Sequence, residues 1–186
     1  MFRRLYRMRY LFGALLLVLA VLAGMVYVLT QSSAPGAGEP ITKDSREYLT
    51  DYAGNTVQLS DFRRKVVIAH SWASWCTYCA EELKNLGKIN EIYGDDIVIL
   101  AINRAESLAD AKAFTDPLAL PPGIKLLLDP TDTFYKQIEG FAMPETIGLD
   151  ERGELLFHQR GPLRFEDITT HIMNLEADRR DPNSKK

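Results

Sequence analysis

The chain has 186 residues, enough for one ordinary domain plus an appendage, and its 46% hydrophobic and 25% charged content excludes a disordered or fibrous protein. Two cysteines are too few for a disulfide framework and count only as a pair. Arg3, Arg4, Arg7 and Arg9 precede every acidic residue; the other 18 basic residues face 25 acidic ones, a net of −7 that leaves no electrostatic footprint for nucleic acid.

Residues 1–9 form a basic segment, and residues 10–30 carry no charge over about 20 apolar positions, the thickness of a bilayer core. Tyr10 and Tyr27 sit near its ends, and the arginines place the N-terminus in the cytoplasm. A cleaved signal peptide is the alternative, with Ala34-Pro35-Gly36-Ala37 as small residues for a peptidase, but its apolar region runs to only ~7–15 residues. A single-pass anchor in a bacterial inner membrane is therefore expected, with the domain on the extracytoplasmic side. No cysteine stands directly after the span, so a lipoprotein anchor is not expected. Residues 31–44 form a flexible tether rich in Ser, Ala, Gly and Pro.

A globular domain is expected over residues 45–177. It opens with a β-hairpin around Ala53-Gly54-Asn55, then one helical turn at Ser60-Asp61-Phe62. Val66 to Trp72 is a buried-type strand feeding a helix from the cysteines to about Tyr93. Ile97 to Ile102 and Lys125 to Leu128 read as strands, with helices at Ser107 to Phe114 and Thr131 to Ile138, the latter closed by Gly140. Thr146 to Leu149 and Leu155 to His158 flank a turn as a hairpin. Phe165 to Leu175 is a last amphipathic helix, and residues 178–186 are a disordered tail. Alternating strands and helices with a closing hairpin predict an α/β fold, a central mixed sheet with helices on both faces.

The chemistry lies at Cys76-Thr77-Tyr78-Cys79, where a strand hands a cysteine pair to a helix N-terminus. Sulfurs three residues apart can close a small ring, and helix-end N–H groups favour a thiolate on the first. Cys76 is the expected nucleophile and Cys79 the resolving thiol. A structural disulfide over so short a loop stabilises little, and half a zinc site lacks its second pair of ligands.

Trp72-Ala73-Ser74-Trp75-Cys76-Thr77-Tyr78-Cys79-Ala80-Glu81-Glu82 resembles the active site of membrane-anchored, thioredoxin-like thiol-disulfide oxidoreductases of the TlpA/ResA family. The resemblance runs from about Tyr48 to Leu175 and implies a thioredoxin-like fold whose redox-active disulfide needs no metal or other cofactor. It implies that Pro144, within Gly140-Phe141-Ala142-Met143-Pro144-Glu145-Thr146, is a cis-Pro facing the cysteines, with Trp75 and Met143 beside it in binding substrate. It implies that Glu82, three residues past Cys79, tunes thiol pKa values and relays a proton. The implied partners are an exported protein disulfide, often apocytochrome c, and a membrane thiol-transporting electron donor, besides the lipid bilayer around the anchor.

The sequence departs from the family at Tyr78, where Pro is common, at Lys84, where a helix-kinking Pro is frequent, and at Glu145, which sets a charge beside the expected groove in place of Thr. His70 replaces a usual Asn and Ser71 a usual Phe. A satisfied sheet residue is expected at His70, and surface or strand residues at His158 and His171. Rival readings are a disulfide oxidase or general thiol reductase, and a copper-handling module in which a histidine faces the two sulfurs.

Overall fold

The computed structural model describes residues 49–180 and, within the N-terminal unit Met1–Gly38, Val18, Val21–Ala23 and Met25, which are helical. The expected basic segment, most of the anchor, the tether and the last six residues lie outside the described residues. Among the described residues no helix is long and apolar enough to cross a membrane.

The elements follow the predicted order. The opening hairpin is β1 (Leu49–Asp51) and β2 (Thr56–Val57), paired antiparallel across a turn with Gly54 at φ 86°. A 3-10 turn, Leu59–Phe62, leads to β3 (Val66–Trp72), then α1 (Cys79–Tyr93) and β4 (Ile97–Arg104). After these come α2 (Leu108–Thr115), β5 (Ile124–Asp129), α3 (Thr133–Gln137), β6 (Glu145–Leu149), β7 (Leu155–Arg160) and α4 (Phe165–Arg180). The last helix continues five residues beyond its expected end, into the segment expected as a tail. Position 84 bears no break: α1 is one continuous helix through Lys84.

One seven-stranded mixed sheet results, in the order β2-β1-β5-β4-β3-β6-β7. β3 runs parallel to β4 and antiparallel to β6, and all seven of its residues are buried. Side chains alternate across a strand. Val66, Ile68 and Trp72 therefore join a layer with Leu83, Leu86 and Ile89 of α1 and Ile168 and Ile172 of α4. Val67 and Ala69 join the opposite layer with Phe134, Tyr135 and Ile147. Burial on both faces is why β3 shows no polar alternation except near its end, at His70 and Ser71.

The third helix ends differently from expectation. The left-handed residue that closes it is Glu139, at φ 54°, and Gly140 serves packing instead. A Cβ at Gly140 would stand 2.5 Å from the Tyr135 ring. That ring cannot yield, because its O–H donates to Ala142 O and the Arg104 guanidinium lies 3.7 Å above its face. Gly140→Ala should lower stability by about 1–3 kcal/mol through overpacking, read as a lower urea midpoint with an unchanged slope.

Candidate active site

The register of β3 with β6 assembles the site. Ser71 pairs with Glu145, so Pro144 and the turn after Trp72 leave the sheet at the same end. Ala73 and Ser74 break the strand, and the turn is fixed by an acid from the next crossover. Glu106 accepts from Ser74 N–H at 2.8 Å and from Ser74 Oγ at 2.5 Å, while Asn103 Nδ2 donates to it at 2.6 Å. Cys76 N–H then donates to Ala73 O, and Cys79 N–H to Cys76 O.

Cys76 and Cys79 are joined as a disulfide with Cα atoms 5.5 Å apart. Cys79 is the first residue of α1, whereas Cys76 sits in the turn before it rather than within the helix. Cys79 is fully buried and Cys76 retains 6% exposure. Trp75 and Tyr78 stand out beside them, more than half exposed. Met143 packs against the apolar layer that contains both cysteines, and the Met143–Pro144 peptide is cis. Pro144 O accepts from Gly161 N–H.

Glu145 corrects the sequence reading. It presents no charge to a groove; it is completely buried and organises the loop before Pro144. Its Oε1 accepts the N–H groups of Phe141 and Ala142, both at 2.6 Å, and its Oε2 faces His158 Nε2 at 2.6 Å. His158, expected as an ordinary strand residue, is thus part of the loop's support. His171 stacks on Phe157 with ring centres 4.1 Å apart. None of these partnerships was read from sequence. A buried-strand position beginning with Glu, opposite a strand carrying His, was the available signal.

Glu82 lies three residues into α1 and is buried, with Oε1 accepting Leu163 N–H at 2.8 Å. Desolvation, reinforced by the neighbouring Glu81 charge, pushes its carboxyl up to about 7, against the pull of the Leu163 N–H. It borders a cleft of about 500 Å³ between α1 and the start of α4, lined also by Tyr78, Lys88, Arg164 and Glu166. His70 is buried, and among the described residues only one of its ring nitrogens finds a hydrogen bond: Nδ1 lies 2.9 Å from Thr146 Oγ1, while Nε2 has no partner within hydrogen-bond reach. The satisfied histidine expected there is only half satisfied. Among the described residues no group of three His, Cys, Asp or Glu side chains is placed to hold a metal.

An α/β sheet of this topology, with a closed Cys-x-x-Cys at the end of its central strand, defines a thioredoxin-like thiol-disulfide oxidoreductase. The Redoxin family model matches residues 36–172, and the chain belongs to that family. It is similar to the thiol-disulfide oxidoreductase ResA of Geobacillus kaustophilus, 27% identical over 165 residues that cover 87% of this chain and 92% of that protein. It is 30% identical over 113 residues to the thiol:disulfide interchange protein HelX of Rhodobacter capsulatus, covering 61% of this chain and 62% of that one. Among solved structures, the exposed lipoprotein thioredoxin of Streptococcus pneumoniae superposes with a TM-score of 0.61 at 26% identity, over 68% of this chain and 97% of that one.

Two outcomes follow from the buried carboxylates. Between pH 4.5, the ordinary value for Glu82, and about 7, its value in the fold, the unfolded chain has released a proton that the folded chain keeps. Stability should therefore fall as pH rises through that window, by up to about 3 kcal/mol, and stay low above it. Urea unfolding at pH 5 and pH 8 should register this fall in the unmodified chain and a smaller one in Glu82→Gln. Glu145→Ala strips two N–H groups of their acceptor and should cost about 2–4 kcal/mol, with faster amide exchange at Phe141 and Ala142 as its local mark.

Proposed function

We propose that this protein is an extracytoplasmic, membrane-tethered reductase of disulfides in exported proteins, with the haem-binding cysteines of apocytochrome c as a candidate substrate. The similarity to ResA and HelX supports the chemistry, and the uncharged segment at residues 10–30 behind four arginines supports the tethering. The observation that carries the reading is the asymmetry of the cysteine pair: Cys76 lies in the turn between exposed aromatics and keeps a residual 6% exposure, whereas Cys79 is fully sealed in the core, one helical turn before a buried acid.

In the reduced protein the Cys76 thiolate attacks a substrate disulfide, forming a mixed disulfide and releasing one substrate sulfur as thiolate. Trp75, Met143 and Pro144 form the surface that holds the substrate backbone, the loop being propped from below by Glu145. Glu82, as carboxylate, takes the Cys79 proton; the Cys79 thiolate then attacks Cys76 Sγ and the second substrate thiolate leaves. Two electrons pass to the substrate, the Cys76–Cys79 bond closes, and a membrane thiol donor restores the dithiol. The carboxyl's position near 7 suits this exchange, since a group that titrates close to working pH both takes and gives a proton.

Cys76→Ser should abolish reduction of a protein disulfide, whereas Cys79→Ser should accumulate the mixed disulfide, visible by mass spectrometry and released by added thiol. Equilibration with dithiol buffers decides direction: a potential far below the ~−120 mV of strong oxidants fits a reductase. A value near that figure would make the protein a disulfide donor instead.

A further inference from the structure

Strand periodicity turns His70 the same way as Ile68 and Trp72, into the layer beneath α1. There Nε2 lies 3.7 Å from Glu82 Oε2, longer than a hydrogen bond, and among the described residues neither atom has a hydrogen-bond partner. Nearly all buried polar atoms are paired, so two unpaired ones facing each other form an incomplete contact that a small side-chain rotation closes. On its other side the ring meets Thr146, two residues beyond Pro144. One imidazole thus bridges the strand after the cis-Pro loop and the acid on the cysteine helix.

We propose that His70 is the positioning residue of Glu82: in the reduced, working site its Nε2–H donates to Glu82 Oε2 while its Nδ1 accepts from the Thr146 hydroxyl. The inference rests on the proton-accepting role of Glu82 given above. Burial holds His70 far below its ordinary value, at about 3, so the ring is neutral near pH 7 and acts as a donor rather than a counter-charge. A neutral imidazole has one N–H, and the Thr146 hydroxyl, able to donate to Nδ1, frees that proton for Nε2.

The other groups around the carboxylate divide by sign. Leu163 N–H favours its charged form, and Glu81 and desolvation oppose it. Tyr78, Lys88, Arg164 and Glu166 line the shared cleft. Around His70, the residue opposite on β4 is Ala101 and on β6 Thr146, neither ionisable under working conditions. A donor to the charged form lowers a carboxyl pKa. Loss of His70 therefore moves Glu82 toward its protonated form at neutral pH, leaving less carboxylate to accept the Cys79 proton.

The test uses the reduced full-length chain with nitrogen-15-labelled histidine, comparing it with His70→Leu and His70→Asn. His70 should show the Nε2–H tautomer; the Nδ1–H tautomer would overturn the proposal, and this is read on the unmodified chain whether or not a variant folds. Resolution of a glutathione mixed disulfide at Cys76, followed against pH, should shift upward by about one unit in His70→Leu, roughly fivefold slower at pH 7 and tenfold slower well below it. His70→Asn, which keeps an N–H donor, should recover most of that rate. An unshifted or downward-shifted profile in folded His70→Leu would also overturn it. Failure of the underlying reading has separate signatures: a cysteine pair that is not reversibly reduced removes the oxidoreductase mechanism. A Glu82→Gln rate equal to that of the unmodified chain removes the base on which His70 acts.

Discussion

The site depends on the pairing of β3 with β6. β3 is buried on both faces and hydrogen-bonded on both edges, so its last residues are fixed from four sides. An antiparallel partner places the start of β6 against the end of β3, and the cis Met143–Pro144 bond and the cysteine turn leave the sheet together. A one-residue slip would turn His70 away from α1 and exchange the buried sets of the two layers. Nothing so costly to both layers is tolerated, and the chemistry inherits its geometry from that intolerance.

Around this frame the site uses three carboxylates in two ways. Glu106 is a clamp for the turn that precedes Cys76, and Glu145 is a clamp for the loop that precedes Pro144. Glu106 takes one backbone N–H and Glu145 two that an irregular segment cannot satisfy within itself, which is the usual condition for burying such a segment. Glu82 is different. Among the described residues it keeps one oxygen without a hydrogen-bond partner, and burial moves its titration up toward neutrality. Full satisfaction makes a support, whereas incomplete satisfaction leaves a group able to exchange a proton.

The order of elements was legible because each is announced locally. Val66-Val67-Ile68 needs only its own composition to read as a buried strand, and Cys76-Thr77-Tyr78-Cys79 needs only the strand before it. The supports were not legible, since each joins residues far apart in the chain: Ser74 to Glu106, Glu145 to His158, and His70 to Thr146. Glu145 misled for a physical reason. A charged residue after a loop proline reads as solvent-facing, and only the register with Ser71 places it inside. Gly140 misled likewise, because closing a helix and making room for the Tyr135 ring both select glycine. His70 was within reach, since its parity with Ile68 and Trp72 points it toward the helix that carries the acid.

A thiol-disulfide oxidoreductase acting on proteins must satisfy two demands that oppose each other. The attacking sulfur has to meet a macromolecule, which requires exposure, while the resolving thiol has to be protected from solvent oxidants and wrong partners, which requires burial. Placing Cys76 in the turn and Cys79 as the first residue of α1 separates the two within three residues. Burial then raises a second difficulty, because a sealed thiol has no water to take its proton. In the proposed mechanism that path is Glu82, an acid one helical turn further on that borders a cleft open to solvent. Tyr78 stands on the exposed side of this arrangement and His70 on the buried side, so in the proposed mechanism substrate contact and proton transfer vary independently about one pair of sulfurs.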